Sequence, residues 1–188
     1  MGIAGWIILA VIVVLVLYLI AIYNRLVSLR QRASQAWSDI SVQLKQRHDL
    51  VPNLVETVKG YAAHERGTLE AVVQARNAAV AATGPAAQAQ AENMLTGALR
   101  QLFALSEAYP NLKANENFIQ LQAELTDIEN KIAAARRFFN NSVSEYNASI
   151  QQFPAVVVAG PLGFQPRTFF DLDEGERAAV NAAPQVKF

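Results

Sequence analysis

From Gly2 to Ile22 the chain carries no charged residue, and the run is built from Ile, Leu, Val, Ala and Gly with the aromatics Trp6 and Tyr18. Those twenty-one residues, at about 1.5 Å of rise each, make a helix of about 31 Å, the thickness of a bilayer's hydrocarbon core. A helix apolar on every face needs lipid around it, so residues 1–23 are predicted to be a transmembrane anchor. Trp6 and Tyr18, with Tyr23 just beyond, lie toward its ends, where amphipathic rings prefer the headgroup level. A cleaved secretory signal is the alternative. Against it, the run is too long, no Lys or Arg precedes it, and no small-x-small cleavage pattern stands before Tyr23. Only Met1 precedes the span, whereas Arg25, Arg30 and Arg32 follow it. The positive-inside rule therefore predicts a single pass with the N-terminus outside and the C-terminal domain in the cytoplasm.

The remaining chain has room for one domain in a protein of 188 residues. Formal charge sums to zero, which removes the basic excess that concentrates a protein on nucleic acid. There is no cysteine, so disulfides, thiolate metal ligands and a cysteine nucleophile are excluded.

Apolar residues recur at helical spacing. Phe118, Leu121, Leu125, Ile128, Ile132, Ala135, Phe139, Val143, Tyr146 and Ile150 alternate steps of three and four, a seam that demands other long helices. Leu26, Leu29, Ala33, Trp37, Ile40 and Leu44 continue the anchor's helix. Val51 through Ala79 and Ala91 through Leu105 supply two more stripes. The predicted fold is all-α: the transmembrane helix, then a long antiparallel four-helix bundle over 24–152. Asp49 followed by Pro52 reads as an N-cap with proline in the first turn, so the second helix is expected to start there; one long helix kinked at Pro52 is the alternative. Thr83-Gly84-Pro85 marks a turn, and Pro110 ends the third helix at Tyr109. Residues 153–170, with prolines and glycines in an apolar run, are expected to be an irregular strap. Its Val156 to Val158, Phe164, Phe169 and Phe170 either cover the bundle or offer a sticky surface to a partner or membrane. Residues 171–188 form a tail in which Val186 and Phe188 could dock.

Several blocks in order are similar to the LemA family: Ala36-Trp37-Ser38-Asp39-Ile40, the run Arg47 to Ala62, Tyr109 to Asn115, Glu129 to Ala133, Ala135 to Asn140, Tyr146-Asn147 and Phe153-Pro154. The resemblance covers about 23–170 and departs at Phe139, where tyrosine is common, and in the Ala-rich turn between the second and third helices. It implies a bacterial single-pass protein of the cytoplasmic (inner) membrane with a long antiparallel bundle, and it supplies no catalytic residue.

The residues themselves assemble no chemistry. His48 and His64 lie sixteen positions apart, on nearly opposite sides of a helix, without the spacing a helical zinc site needs. Interhelical hydrogen bonding suits them better. Ser38, Ser142 and Ser149 sit within helical stripes with no glycine elbow. No phosphate loop is present, and the helical carboxylates lack the Glu-x-x-His of di-metal bundles. The odd feature is asparagine in the last long helix, at Asn115, Asn117, Asn130, Asn140, Asn141 and Asn147, where each costs about 0.7 kcal/mol against alanine. Several of these, namely Asn130, Asn140 and Asn147, are expected to form a register-fixing network with Glu129, Arg136, Arg137 and Tyr146; a solvated face is the alternative. The expected function is that of a non-enzymatic scaffold that self-associates as a homo-oligomer in the lipid bilayer and organises other membrane proteins, with no cofactor. The alternative is a sensor or accessory module that binds a small ligand or metal in the bundle.

Overall fold

In a computed structural model the apolar run and the stripe behind it form one unbroken helix, α1 (Ile3–Lys59), followed by α2 (Arg66–Ala81), α3 (Pro85–Ser106), α4 (Pro110–Lys113), α5 (Glu116–Gln151) and α6 (Ala155–Ala159). The structure describes residues 2–171, and among these there is no strand. The expected tail, including Val186 and Phe188, falls outside the described residues. Among the described residues, α1 is the one helix long and apolar enough to cross a membrane, by length and composition. Its large side chains from Ile3 to Ile20 are all exposed.

The chain divides into two units, Met1–Ser38 with Phe138–Arg167, and Asp39–Arg137 with the chain from Thr168, so α1 and α5 each contribute to both. The second unit is a four-helix bundle of the end of α1, α2, α3 and the start of α5. Its core joins Val51, Leu54 and Val58 of α1 to Leu69 and Val72 of α2, Leu95, Leu99 and Leu102 of α3, and Phe118 and Leu125 of α5. Each such side chain contributes about 1.5–3 kcal/mol by leaving water. In the first unit α1 and α5 run antiparallel. Leu26 and Leu29 pack with Tyr146, Ile150 and Phe164, and the rings of Trp37 and Phe139 stand 5.4 Å apart.

The start of a second helix at Asp49 is not found. Pro52 lies inside α1, and the break falls at residues 60–65 instead. A proline within a helix leaves the carbonyl four residues earlier without its N–H, here that of His48. Arg76 of α2 takes its place, its Nε donating to the His48 carbonyl at 3.2 Å. Asp49, relieved of capping, pairs with Lys45 at 3.0 Å. Pro110 opens the short α4 after α3 has ended at Ser106. Asn115, counted by its spacing among the helical asparagines, instead precedes α5 and accepts the Phe118 N–H at 3.0 Å, as an N-cap does.

The strap is irregular apart from one helical turn, α6, and a glycine turn at Gly163 with φ 76°. Phe164 and Phe170 are buried, whereas Val156, Val157 and Phe169 are exposed. Only part of the strap therefore covers protein.

The arrangement at Pro52 predicts a coupled pair. Arg76→Ala should lower stability by about 1–3 kcal/mol, the cost of stranding a partly buried acceptor. Pro52→Ala should recover much of that loss in the Arg76→Ala background, because the new N–H reaches the His48 carbonyl. Chemical unfolding of the four proteins of this cycle checks it; independent, additive effects would contradict the capping role.

Candidate functional site

The stripe that α3 turns inward is not wholly apolar. Gln88, Glu92, Leu95, Leu99, Leu102 and Ser106 follow steps of four and three, and all six are buried. A carboxylate placed in register with leucines has to meet cations inside the bundle, because an unpaired buried charge is too costly to hold. Its partners come from consecutive positions of α1, the guanidinium of Arg47 and the ring of His48, whose residues are 3% and 7% exposed.

The contacts are short and use nearly every polar atom. Arg47 Nη1 donates to Glu92 Oε2 at 2.9 Å, and Nη2 donates to Thr96 Oγ1 at 2.8 Å and to Glu129 Oε1 at 3.1 Å. His48 Nε2 lies 2.7 Å from Glu92 Oε1. Gln88 Nε2 donates to that same oxygen at 2.9 Å and to the Ala79 carbonyl at 2.9 Å. Ala79 lies in the last turn of α2, where carbonyls have no helical partner, so Gln88 also caps that helix. The cluster thus joins α1, α2, α3 and α5 of the bundle unit. Arg47 Nε is left as the one guanidinium donor without a protein partner.

Burial by itself would raise the pKa of Glu92. The hydrogen bond from His48, the positive charges of His48 and Arg47 and the amide of Gln88 outweigh burial and hold the carboxyl below its ordinary value. Glu92 is therefore an anion fixed between the Arg47 guanidinium and the His48 ring. A carboxylate so held is a poor proton acceptor and has no free edge toward a substrate. Beside the cluster a cleft of about 340 Å³ opens between α1 and α2, lined by Ser41, Lys45, His48, Asp49, Arg76 and Gln88 among others. No group of three or more His, Cys, Asp or Glu able to hold a metal occurs among the described residues.

The residues expected to form one network are dispersed. Glu129 joins the Arg47 cluster. Asn130 and Arg137 are exposed, and Arg136 and Asn140 are half-buried. Tyr146 and Asn147 serve the strap of the first unit: the Tyr146 hydroxyl donates to the Gln165 carbonyl at 2.9 Å, and Asn147 both donates to the Arg167 carbonyl and accepts its N–H, at 2.9 and 2.8 Å. Arg167 Nη2 reaches Ser34 Oγ of α1 at 2.8 Å. Glu129 thus belongs to a buried ion cluster, and Tyr146 and Asn147 to a backbone staple. Sequence reasoning passed over Arg47, Gln88 and Glu92. The signal that could have found them is the Gln88–Glu92–Leu95–Leu99 spacing, a carboxylate in an apolar stripe.

A family model described as the LemA family matches residues 36–188. The chain is 28% identical over 164 residues to Protein LemA of Metamycoplasma hominis, across 85% of this chain and 74% of that one. It is 26% identical over 174 residues to magnetosome protein MamQ of Magnetospirillum gryphiswaldense, across 79% of this chain and 64% of the other. A similar match, 25% identical over 174 residues, is to magnetosome protein MamQ 2 of Paramagnetospirillum magneticum. The match spans just under two thirds, 64%, of each magnetosome protein's length.

Removing one member of a buried ion cluster strands the others. Glu92→Ala should cost about 3–5 kcal/mol in chemical unfolding. The lowered pKa of Glu92 also sets a sign. A carboxyl that binds its proton less readily when folded contributes stability above the ordinary carboxylate range, and that contribution is lost as pH falls through the folded-state value. Melting temperature should therefore fall in acid. Glu92→Gln should flatten that fall; an unchanged acid limb would contradict the assignment.

Proposed function

This chain belongs to the LemA family, and from that premise we propose that it is a membrane-anchored helical scaffold without catalytic activity, which self-associates and organises other membrane proteins. The observation that carries this reading is that the charged groups of the buried cluster are bound to one another. Among the described residues the buried acidic and basic side chains are Arg47, His48 and Glu92, and all three are engaged with one another or with Gln88, Thr96 and Glu129. Groups arranged for chemistry keep a proton, a lone pair or a coordination position available to a substrate. Groups arranged this way hold helices in register.

The anchor supplies the location in this reading. The uncharged run and the following Arg25, Arg30 and Arg32 favour a single pass in the bacterial inner membrane, with the bundle in the cytoplasm. A second reading, a sensor or accessory module, draws support from the cleft beside His48 and Gln88, because a small ligand there would touch cluster members on α1 and α3. Bundle melting that ignores divalent metals and small anions would count against it.

The scaffold reading is tested by the particle mass of the full-length protein extracted in native lipid discs. A discrete assembly of several copies is expected. A monomer across a range of expression levels would overturn self-association.

A further inference from the structure

The helix α6 is inside out for a protein facing water. It buries its small residues, Ala155 and Ala159, against Leu26 and Ile150, and turns Val156 and Val157 outward at 49% and 64% exposure. Beside it Leu162 is 47% exposed and Phe153 is 84% exposed, more than Ile3 of the apolar run at 82%. From Tyr146 to Pro166 the chain has no charged residue. Four large apolar side chains on one uncharged segment would be costly to leave in water, and an exposed cluster of this kind marks an interaction surface.

Its place on α1 identifies the occupant. A cleft of about 220 Å³ is lined by Tyr18, Ala21, Ile22 and Arg25 of α1 together with Phe153 and Pro154 of the strap. The strap therefore meets α1 on the last turn of the apolar run, between Tyr18 and the first charge, Arg25. That is the height at which aromatic rings settle between acyl chains and headgroups. The rest of the strap is held from α1's next turns, with the rings of Tyr23 and Phe164 5.6 Å apart and the Arg30 guanidinium 5.1 Å from the centre of the Phe164 ring.

We propose that Phe153, Val156, Val157 and Leu162 are inserted in the lipid interface beside the span, giving the protein a second, monotopic membrane contact. Phe153 shares a cleft with Tyr18 and Ile22 of the span, so the segment it opens meets lipid without a further partner, as an amphipathic interfacial segment does. The inference rests on residues 3–22 crossing the bilayer.

The absence of cysteine makes the test direct. The full-length protein is spin-labelled singly at Val157→Cys and at Leu162→Cys in phosphatidylcholine–phosphatidylglycerol nanodiscs, with Val16→Cys as a marker of the span and Gln35→Cys of exposed helix. At both strap positions, collision with oxygen is expected to exceed collision with a water-soluble nickel chelate, as at position 16 but at shallower depth. Nickel-dominated collision matching position 35 would overturn the proposal, and shielding from both reagents would assign the surface to a protein partner and overturn it too. If position 16 also met nickel, the span itself would fail, which separates that failure from failure of the strap contact alone.

Discussion

The guanidinium of Arg47 cannot escape its charge by losing a proton, so its burial obliges the helices around it to bring acceptors to it. Those acceptors come from Glu92 and Thr96 on α3 and Glu129 on α5. The apolar stripes of a bundle tolerate a slide of one helix past another by a heptad, since leucine meets leucine again. A buried carboxylate bonded to Arg47 through one oxygen and to His48 and Gln88 through the other does not. The hydrophobic stripes thus hold the bundle unit together, and the ion cluster selects the register in which they meet.

The same cluster region explains how α1 passes a proline. Pro52 removes one backbone donor, and the lost hydrogen bond would leave the His48 carbonyl unsatisfied at the point where the His48 side chain is also buried. Arg76 supplies the donor from α2. The helix is continuous because another helix repairs it, so local propensity and tertiary packing point in opposite directions here and packing prevails. The first unit shows a parallel economy. Its irregular strap has backbone groups with no ladder or helix to join, and Tyr146 and Asn147 of α5 satisfy several of them.

The parts of the candidate site that could be read in advance were those with a local signature. His48 stands next to an apolar stripe, and a role in interhelical hydrogen bonding follows from its place. Glu129, Tyr146 and Asn147 were recognisable as polar residues that need partners on a packed helix. Which partners they take was not, because Glu129 finds Arg47 82 residues away along the chain, and Asn147 finds main-chain atoms, which have no residue-type signal. Glu92 was hidden for a related reason: in an alternation dominated by Ala91, Leu95 and Ala98, one charged position shifts the stripe without interrupting it.

By itself the sequence determined the all-helical class, the apolar run able to span a bilayer, the turn at Gly84-Pro85 and the apolar faces, because each follows from periodicity, from the absence of charge, or from proline and glycine chemistry within a few residues. Tertiary structure alone decided that α1 continues through Pro52, that Arg47, His48 and Glu92 share one buried cluster, and that α6 turns its valines outward. Those outcomes depend on donors, acceptors and apolar surfaces contributed by segments distant along the chain, and their energies exist only once the helices have met.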